Sequence, residues 1–218
     1  MTKVYLVGGA VRDLIRGIPC NDKDRVVVGV EYIRESVTDF LKSQGVLTFR
    51  TKGKDHYVFD DNLKTARGRN DHGLILDFKF IDDLKSDLTS RDITINSLAV
   101  DESTGNIIDY VGGLQDIEDK LIRYTGNAAE KIKASPERLI RVARFSQQLK
   151  YDLTLDTQVT YKNDYLINRL RTLDKNIVVQ QLNKWLHQVG PIDFMRFLTT
   201  YPMFKDVVLS CAEFKFHV

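Results

Sequence analysis

Leu6-Val7-Gly8-Gly9-Ala10-Val11-Arg12-Asp13, followed by Asn21-Asp22-Lys23-Asp24 and Arg25-Val26-Val27-Val28, is the most informative stretch of the chain. A short apolar run meets two glycines and then a helix-forming segment, so the backbone turns from strand to helix at Gly8-Gly9. Glycine there lets backbone amides approach an anion closely, and the helix start adds the positive end of its dipole. A plain strand-to-helix turn needs glycine for geometric reasons as well. If the acidic pair opens the strand over 25–29, Asp22 and Asp24 lie two residues apart and project from one face. Adjacent carboxylates repel each other, and a pair of magnesium ions resolves that repulsion, since hard cations take carboxylate oxygens. The bland alternative is a solvated turn or helix cap.

Around this core the first half alternates short apolar runs with turn residues. Strands are expected at 4–7, 25–29, 57–59, 74–80 and 107–110, with a short helix from Ala10 to about Arg16. Ile33, Val37, Phe40 and Leu41 give 31–44 the spacing of an amphipathic helix. After Gly112-Gly113 the period changes to three and four, as in Leu139, Val142, Phe145 and Leu149, and later Leu182, Trp185, Leu186 and Val189. The second half is expected to be helical. The pattern divides the chain into residues 1–118 and 119–218.

The 218 residues are 43% hydrophobic and 28% charged, close to a globular domain and far from a disordered or collagen-like chain. The net charge of +2 conceals a division, since residues 1–118 hold 16 basic and 20 acidic side chains and residues 119–218 hold 16 and 10. A basic helical part joined to an acidic one favours a polyanionic ligand near the junction. Two distant cysteines, Cys20 and Cys211, fit neither a disulfide scaffold nor a zinc site, and point to reduced thiols and a cytoplasmic protein. The apolar run 4–7 meets Gly8-Gly9, Arg12 and Asp13 too soon to be expected as a signal peptide, and no apolar run approaches about 20 residues, so no membrane partner is expected.

Four segments in order resemble the class II CCA-adding enzymes and bacterial poly(A) polymerases, of the polymerase-beta-like nucleotidyltransferase superfamily. They are residues 7–13 with Asp22-x-Asp24, the run Asp87 to Ala99, Asp109-Tyr110-Val111-Gly112-Gly113-Leu114-Gln115-Asp116, and Arg138 to Phe145. The resemblance implies an α+β chain: a nucleotidyltransferase head with a mixed sheet over 1–118, and an all-helical neck and start of a body over 119–218. It implies template-independent transfer of a nucleoside monophosphate from CTP or ATP to an RNA 3′ end, with tRNA as the acceptor. Asp22 and Asp24 would be catalytic and hold magnesium, two ions in all. Gly8, Gly9 and Arg12 would meet the triphosphate, and Arg91, Asp92 and Asn96 the ribose pocket. Ser135, Arg138 and Arg141 would complete the nucleotide site.

Several positions depart from the family pattern. Ser135 stands where an aspartate is usual, and with Pro136 after it reads as an ordinary helix N-cap. Arg138, Arg141 and Arg144 read otherwise as a solvated or phosphate-steering edge. Arg91 and Asp92 read otherwise as a surface ion pair at a helix start. The third carboxylate has no single candidate, Asn62 with Asp60 and Asp61 beside it and Asp77 all being open. Basic residues at 50, 52, 54, 64, 67 and 69 are expected in a mobile basic segment near the active site or, alternatively, in a flexible solvated loop. The chain reads as a shortened form without the family's body and tail domains. Two other functions compete: the same chemistry on a small RNA, protein or nucleotide acceptor, and a non-catalytic RNA- or nucleotide-binding scaffold.

Overall fold

The computed structural model describes residues 2–20, 23–51 and 54–212, which fall into two units. The first comprises residues 1–91 and 96–113, the second residues 92–95 and 114–218.

In the first unit, β1 (Lys3–Val7) leads through Gly8 into α1 (Gly9–Ile15) and then β2 (Asp24–Val28). Next come α2 (Arg34–Ser43), the hairpin of β3 (Phe49–Thr51) and β4 (Lys54–His56), then β5 (Val58–Asp60), β6 (Thr65–Arg69) and β7 (Ile75–Ile81). α3 (Leu84–Ser90), β8 (Leu98–Asp101) and β9 (Ile107–Asp109) complete it. Seven strands form one sheet in the order β5-β6-β7-β2-β1-β8-β9. β2 and β7 run parallel while β1 pairs antiparallel with β2 and β8, so the sheet is mixed.

The alternation of these strands feeds two cores. Val27, Ala66, Phe78 and Phe80 face α2, where Val37, Phe40 and Leu41 close over them. Tyr5, Val7, Val26 and Ala99 face the other way, onto Leu84 and Leu88 of α3. Polar side chains at the end of that second face are therefore held by strands buried on both sides.

Part of the basic stretch at 50–69 lies in strands. Arg67 and Arg69 lie in β6, paired on both sides, and Arg67 bonds Asp77 while Arg69 donates to the Thr48 carbonyl. Lys52 lies outside the described residues. Thr-Ala-Arg-Gly-Arg has no apolar alternation to announce β6, and its Gly68 is needed for close approach. A Cβ there would stand 2.4 Å from Val46 and 2.7 Å from the Leu47 carbonyl oxygen.

The second unit holds α4 (Gly113–Glu118), whose first residue belongs to the other unit, and β10 (Leu121–Ile122), α5 (Ala128–Ala134), α6 (Arg138–Leu149) and β11 (Asp152–Leu153). α7 (Leu155–Thr160), α8 (Asp164–Asn168), α9 (Lys175–Val189), α10 (Pro191–Thr200) and α11 (Pro202–Ala212) follow. Besides the expected helices it contains one short parallel pair, β10 with β11. α6 is packed through Leu139, Ile140, Val142 and Ala143, all fully buried. An aromatic nucleus joins α7, α9, α10 and α11: Trp185 lies 4.8 Å from Phe194 and 5.3 Å from Phe197, and Tyr161 5.1 Å from Phe204. The Tyr161 hydroxyl, buried by these rings, donates to the Leu139 carbonyl at 2.7 Å. Among the described residues no helix is long and apolar enough to cross a membrane.

Candidate active site

The site in the first unit starts at Gly8, which caps α1 with φ 75° and ψ −141°, a region that β-carbon sterics deny to other residues. A Cβ built on Gly8 would stand 3.0 Å from Nη1 of Arg91 and 4.0 Å from Oδ2 of Asp24. The glycine turn, Arg91 and Asp24 therefore surround one spot. Asp24 is the exposed first residue of β2, and its register partner on the neighbouring strand is Asp77 of β7. Cross-strand partners project to the same face, so the two carboxylates stand side by side at the end of the sheet. Of the candidates for a third carboxylate, Asp77 is the one in register with Asp24. Asp60 instead accepts the Asn62 and Leu63 amides of its own turn, and Asp61 pairs with Arg34 at 2.9 Å.

Arg91 follows the last residue of α3 and turns back on it. Its Nε and Nη2 donate to Oδ2 of Asp87 at 3.0 and 2.8 Å. Lys79 of β7 donates to the other carboxylate oxygen at 2.7 Å. Burial alone pushes the Asp87 carboxyl up, but the charge of Arg91 and the hydrogen bonds from Lys79 and Arg91 outweigh it and hold the group below its ordinary range.

Arg12 and Asn96 meet each other: Nη1 of Arg12 donates to Oδ1 of Asn96 at 2.7 Å in a buried contact. The rest of the Arg12 guanidinium is bidentate to Asp13 at 2.9 Å, with Nη2 3.4 Å from where a Cβ on Gly9 would lie. Arg12 thus fastens α1 beneath the glycine turn, and the guanidinium nearest Gly8 is that of Arg91.

Asp22 lies outside the described residues. Among the described residues no group of three or more His, Cys, Asp or Glu side chains is gathered as a metal cluster. The donors in register, Asp24 and Asp77, are hard carboxylate oxygens, the ligand type that magnesium takes.

The remaining sequence candidates lie in the second unit. Oδ2 of Asp92, a buried residue, accepts Nε and Nη2 of Arg141 at 2.9 and 2.7 Å. Arg91 and Asp92 are therefore not a surface ion pair with each other, since each holds a different partner. Ser135 is not the N-cap of α6. It terminates α5 with φ −154° and ψ 82°, because the ring of Pro136 drives the preceding residue out of the helical region, and α6 begins only at Arg138 with Glu137 as its cap. The Ser135 hydroxyl donates to the Glu137 carboxylate. Arg138 donates to the Lys131 carbonyl at 3.2 Å. Arg144 is buried and bonds Gln188 of α9 at 2.6 Å, so it is no part of a solvated edge, whereas the Arg141 side chain is 40% exposed.

Asp87 opens the segment 87–99 but has no role of its own in the sequence reading, and Lys79 has none either. The signal for Asp87 is its spacing of four from Arg91 in a helical stretch. Lys79 is flanked by two buried phenylalanines, and nothing local announces its partner.

Residues 4–123 match the family described as the poly A polymerase head domain. Over 209 residues the chain is 34% identical to the multifunctional CCA protein of Xanthomonas oryzae pv. oryzae, covering 90% of this chain and 48% of that protein. Over 199 residues it is 34% identical to the protein of the same name from Legionella pneumophila, covering 88% and 47%. Among solved structures, a Thermotoga maritima CCA-adding enzyme complexed with tRNA superposes with a TM-score of 0.78 at 27% identity, over 93% of this chain and 47% of that one. A CCA-adding enzyme with ATP gives the same score and identity over the same shares. The chain spans about half the length of the curated relatives it matches. With the family match running over more than half of its residues, the chain belongs to the poly A polymerase head-domain family.

Proposed function

We propose that this protein is a magnesium-dependent nucleotidyltransferase that adds nucleotides from CTP and ATP to the 3′ end of tRNA. The observation that carries the reading is the convergence of Gly8, Arg91 and Asp24, with Asp77 in register beside Asp24. Phosphoryl-type transfer needs positioning and charge neutralisation more than covalent chemistry. Gly8 leaves room for a triphosphate against the backbone, and Arg91 offers it a guanidinium. Asp22, Asp24 and Asp77 would hold two magnesium ions, which when bound neutralise phosphate charge and activate the acceptor hydroxyl. Arg12 and Asn96 act beneath the turn, Gly9 beside it. We assign Asp92, Ser135, Arg138 and Arg141 to ribose and base selection, residues 1–118 to catalysis and residues 119–218 to nucleotide and RNA binding. The sparse, distant cysteines Cys20 and Cys211 support a cytoplasmic location.

The names of the relatives support tRNA as acceptor. A second reading, the same transfer to another acceptor, draws on Ser135, whose hydroxyl is already engaged by Glu137. The test incubates the protein with magnesium, each labelled triphosphate and tRNA transcripts ending before CCA, after C or after CC. Addition of C and then A is the expected result. Triphosphate turnover without tRNA extension favours the other acceptor, and no turnover leaves a binding scaffold.

A further inference from the structure

Asp87 is a buried carboxylate, its side chain only 4% exposed, held by two cations. Lys79 takes one oxygen, and Arg91 takes the other with two of its three nitrogens. That leaves Nη1 as the edge of the fork turned to the glycine turn, 3.4 Å from the Asn96 carbonyl oxygen and 3.0 Å from the position a Cβ on Gly8 would occupy. A guanidinium is planar, so fixing Nε and Nη2 fixes the direction of Nη1. Charge balance is equally specific. Asp87 with Arg91 alone would be neutral, whereas the trio with Lys79 keeps one net positive charge beside Gly8 and Asp24.

We propose that Asp87 is a positioning residue that aims Nη1 of Arg91 at the triphosphate, and that Lys79 preserves the positive charge with which Arg91 attracts it. The inference rests on the nucleotidyl-transfer reading above. Asp87 itself touches no phosphate. Its influence passes through Arg91, and a misplacement of about 1 Å at a reacting group costs on the order of 10²-fold in rate.

The test is a double-mutant cycle on the full chain. Asp87→Asn is expected to lower kcat about 10- to 100-fold with KM for CTP changed less than about threefold. In the Arg91→Ala background the same change is expected to cost less than about twofold, because the group it acts through is gone. Losses that multiply in the double variant would mean a merely structural role and overturn the proposal. The cycle is repeated on calorimetric binding of inorganic tripolyphosphate, which needs no catalysis. There Arg91→Ala weakens binding about tenfold in the native background and less than about threefold beside Asp87→Asn. Coupling in binding without any RNA extension would sink the transfer reading and leave this one standing, whereas equal losses in both backgrounds overturn it. Lys79→Met is expected to weaken tripolyphosphate binding about two- to fivefold. If Asp87→Asn does not fold, Arg91→Lys decides: it keeps the charge and loses the fork, so kcat should fall about tenfold, and full activity refutes the role of the fork.

Discussion

Asp24 and Asp77 are register partners on the parallel strands β2 and β7, which places two carboxylates side by side although 52 residues of chain lie between them. Their repulsion is relieved on one side by Arg67, whose Nε bonds Asp77 at 2.5 Å. Asp24 is exposed at the start of its strand, so its side chain supports little of the core. Asp24→Ala is therefore expected to lower nucleotide incorporation on the order of 10²- to 10³-fold, with a melting temperature near that of the native chain. Labelled-nucleotide incorporation and calorimetry check the pair of outcomes, and an unfolded variant would make the residue structural.

Gly8→Ala attacks the same spot from the backbone. The φ of 75° with ψ −141° strains any β-carbon, and the new methyl would press on Nη1 of Arg91. A stability loss of about 1–3 kcal/mol is expected, together with a fall in kcat larger than that loss explains. Urea midpoints and steady-state kinetics separate the two effects.

Arg141→Met would strip from Asp92 the guanidinium whose Nε and Nη2 both donate to its Oδ2, leaving a carboxylate that is 5% exposed without its ion pair. Arg141 itself is 40% exposed along its side chain, so solvent screens part of the interaction. The expected cost is about 1–3 kcal/mol, read as a lower urea midpoint at an unchanged m-value.

Asp87 carries a pH dependence of known sign. Its carboxyl titrates lower in the folded chain than in the unfolded one, despite a burial that works the other way, because Arg91 and Lys79 favour the ionised form. The stability it contributes is complete above the unfolded value of about 3.9 and is lost as pH falls through the lower folded value. Melting temperatures of the native chain and Asp87→Asn are expected to differ most above pH 5 and to converge in acid.

The two periods of the chain, strand alternation first and helical spacing later, were legible because each element buries one face and its apolar residues repeat accordingly. The strand-to-helix turn at Gly8 was legible for a similar reason: only glycine adopts that backbone, so its local need is written in its identity. α3 carried a weaker signal in the four-residue spacing of Asp87 and Arg91. β6 carried none, since a short strand paired on both sides draws its stability from neighbours and not from its own alternation.

Local patterns also misread residues whose partners are distant. Ser135 has the look of a helix cap, yet the steric demand of Pro136 ends α5 there and delays α6 by two residues. Arg91 and Asp92 are neighbours in sequence, but each pairs elsewhere, Arg91 with Asp87 and Asp92 with Arg141. Residue types and spacing thus announced the amphipathic elements and the glycine turn, which depend on contacts within a few residues. Which carboxylate stands beside Asp24, and which guanidinium meets Gly8, followed from strand order and register, because those contacts join segments that only the folded sheet brings within a few ångströms.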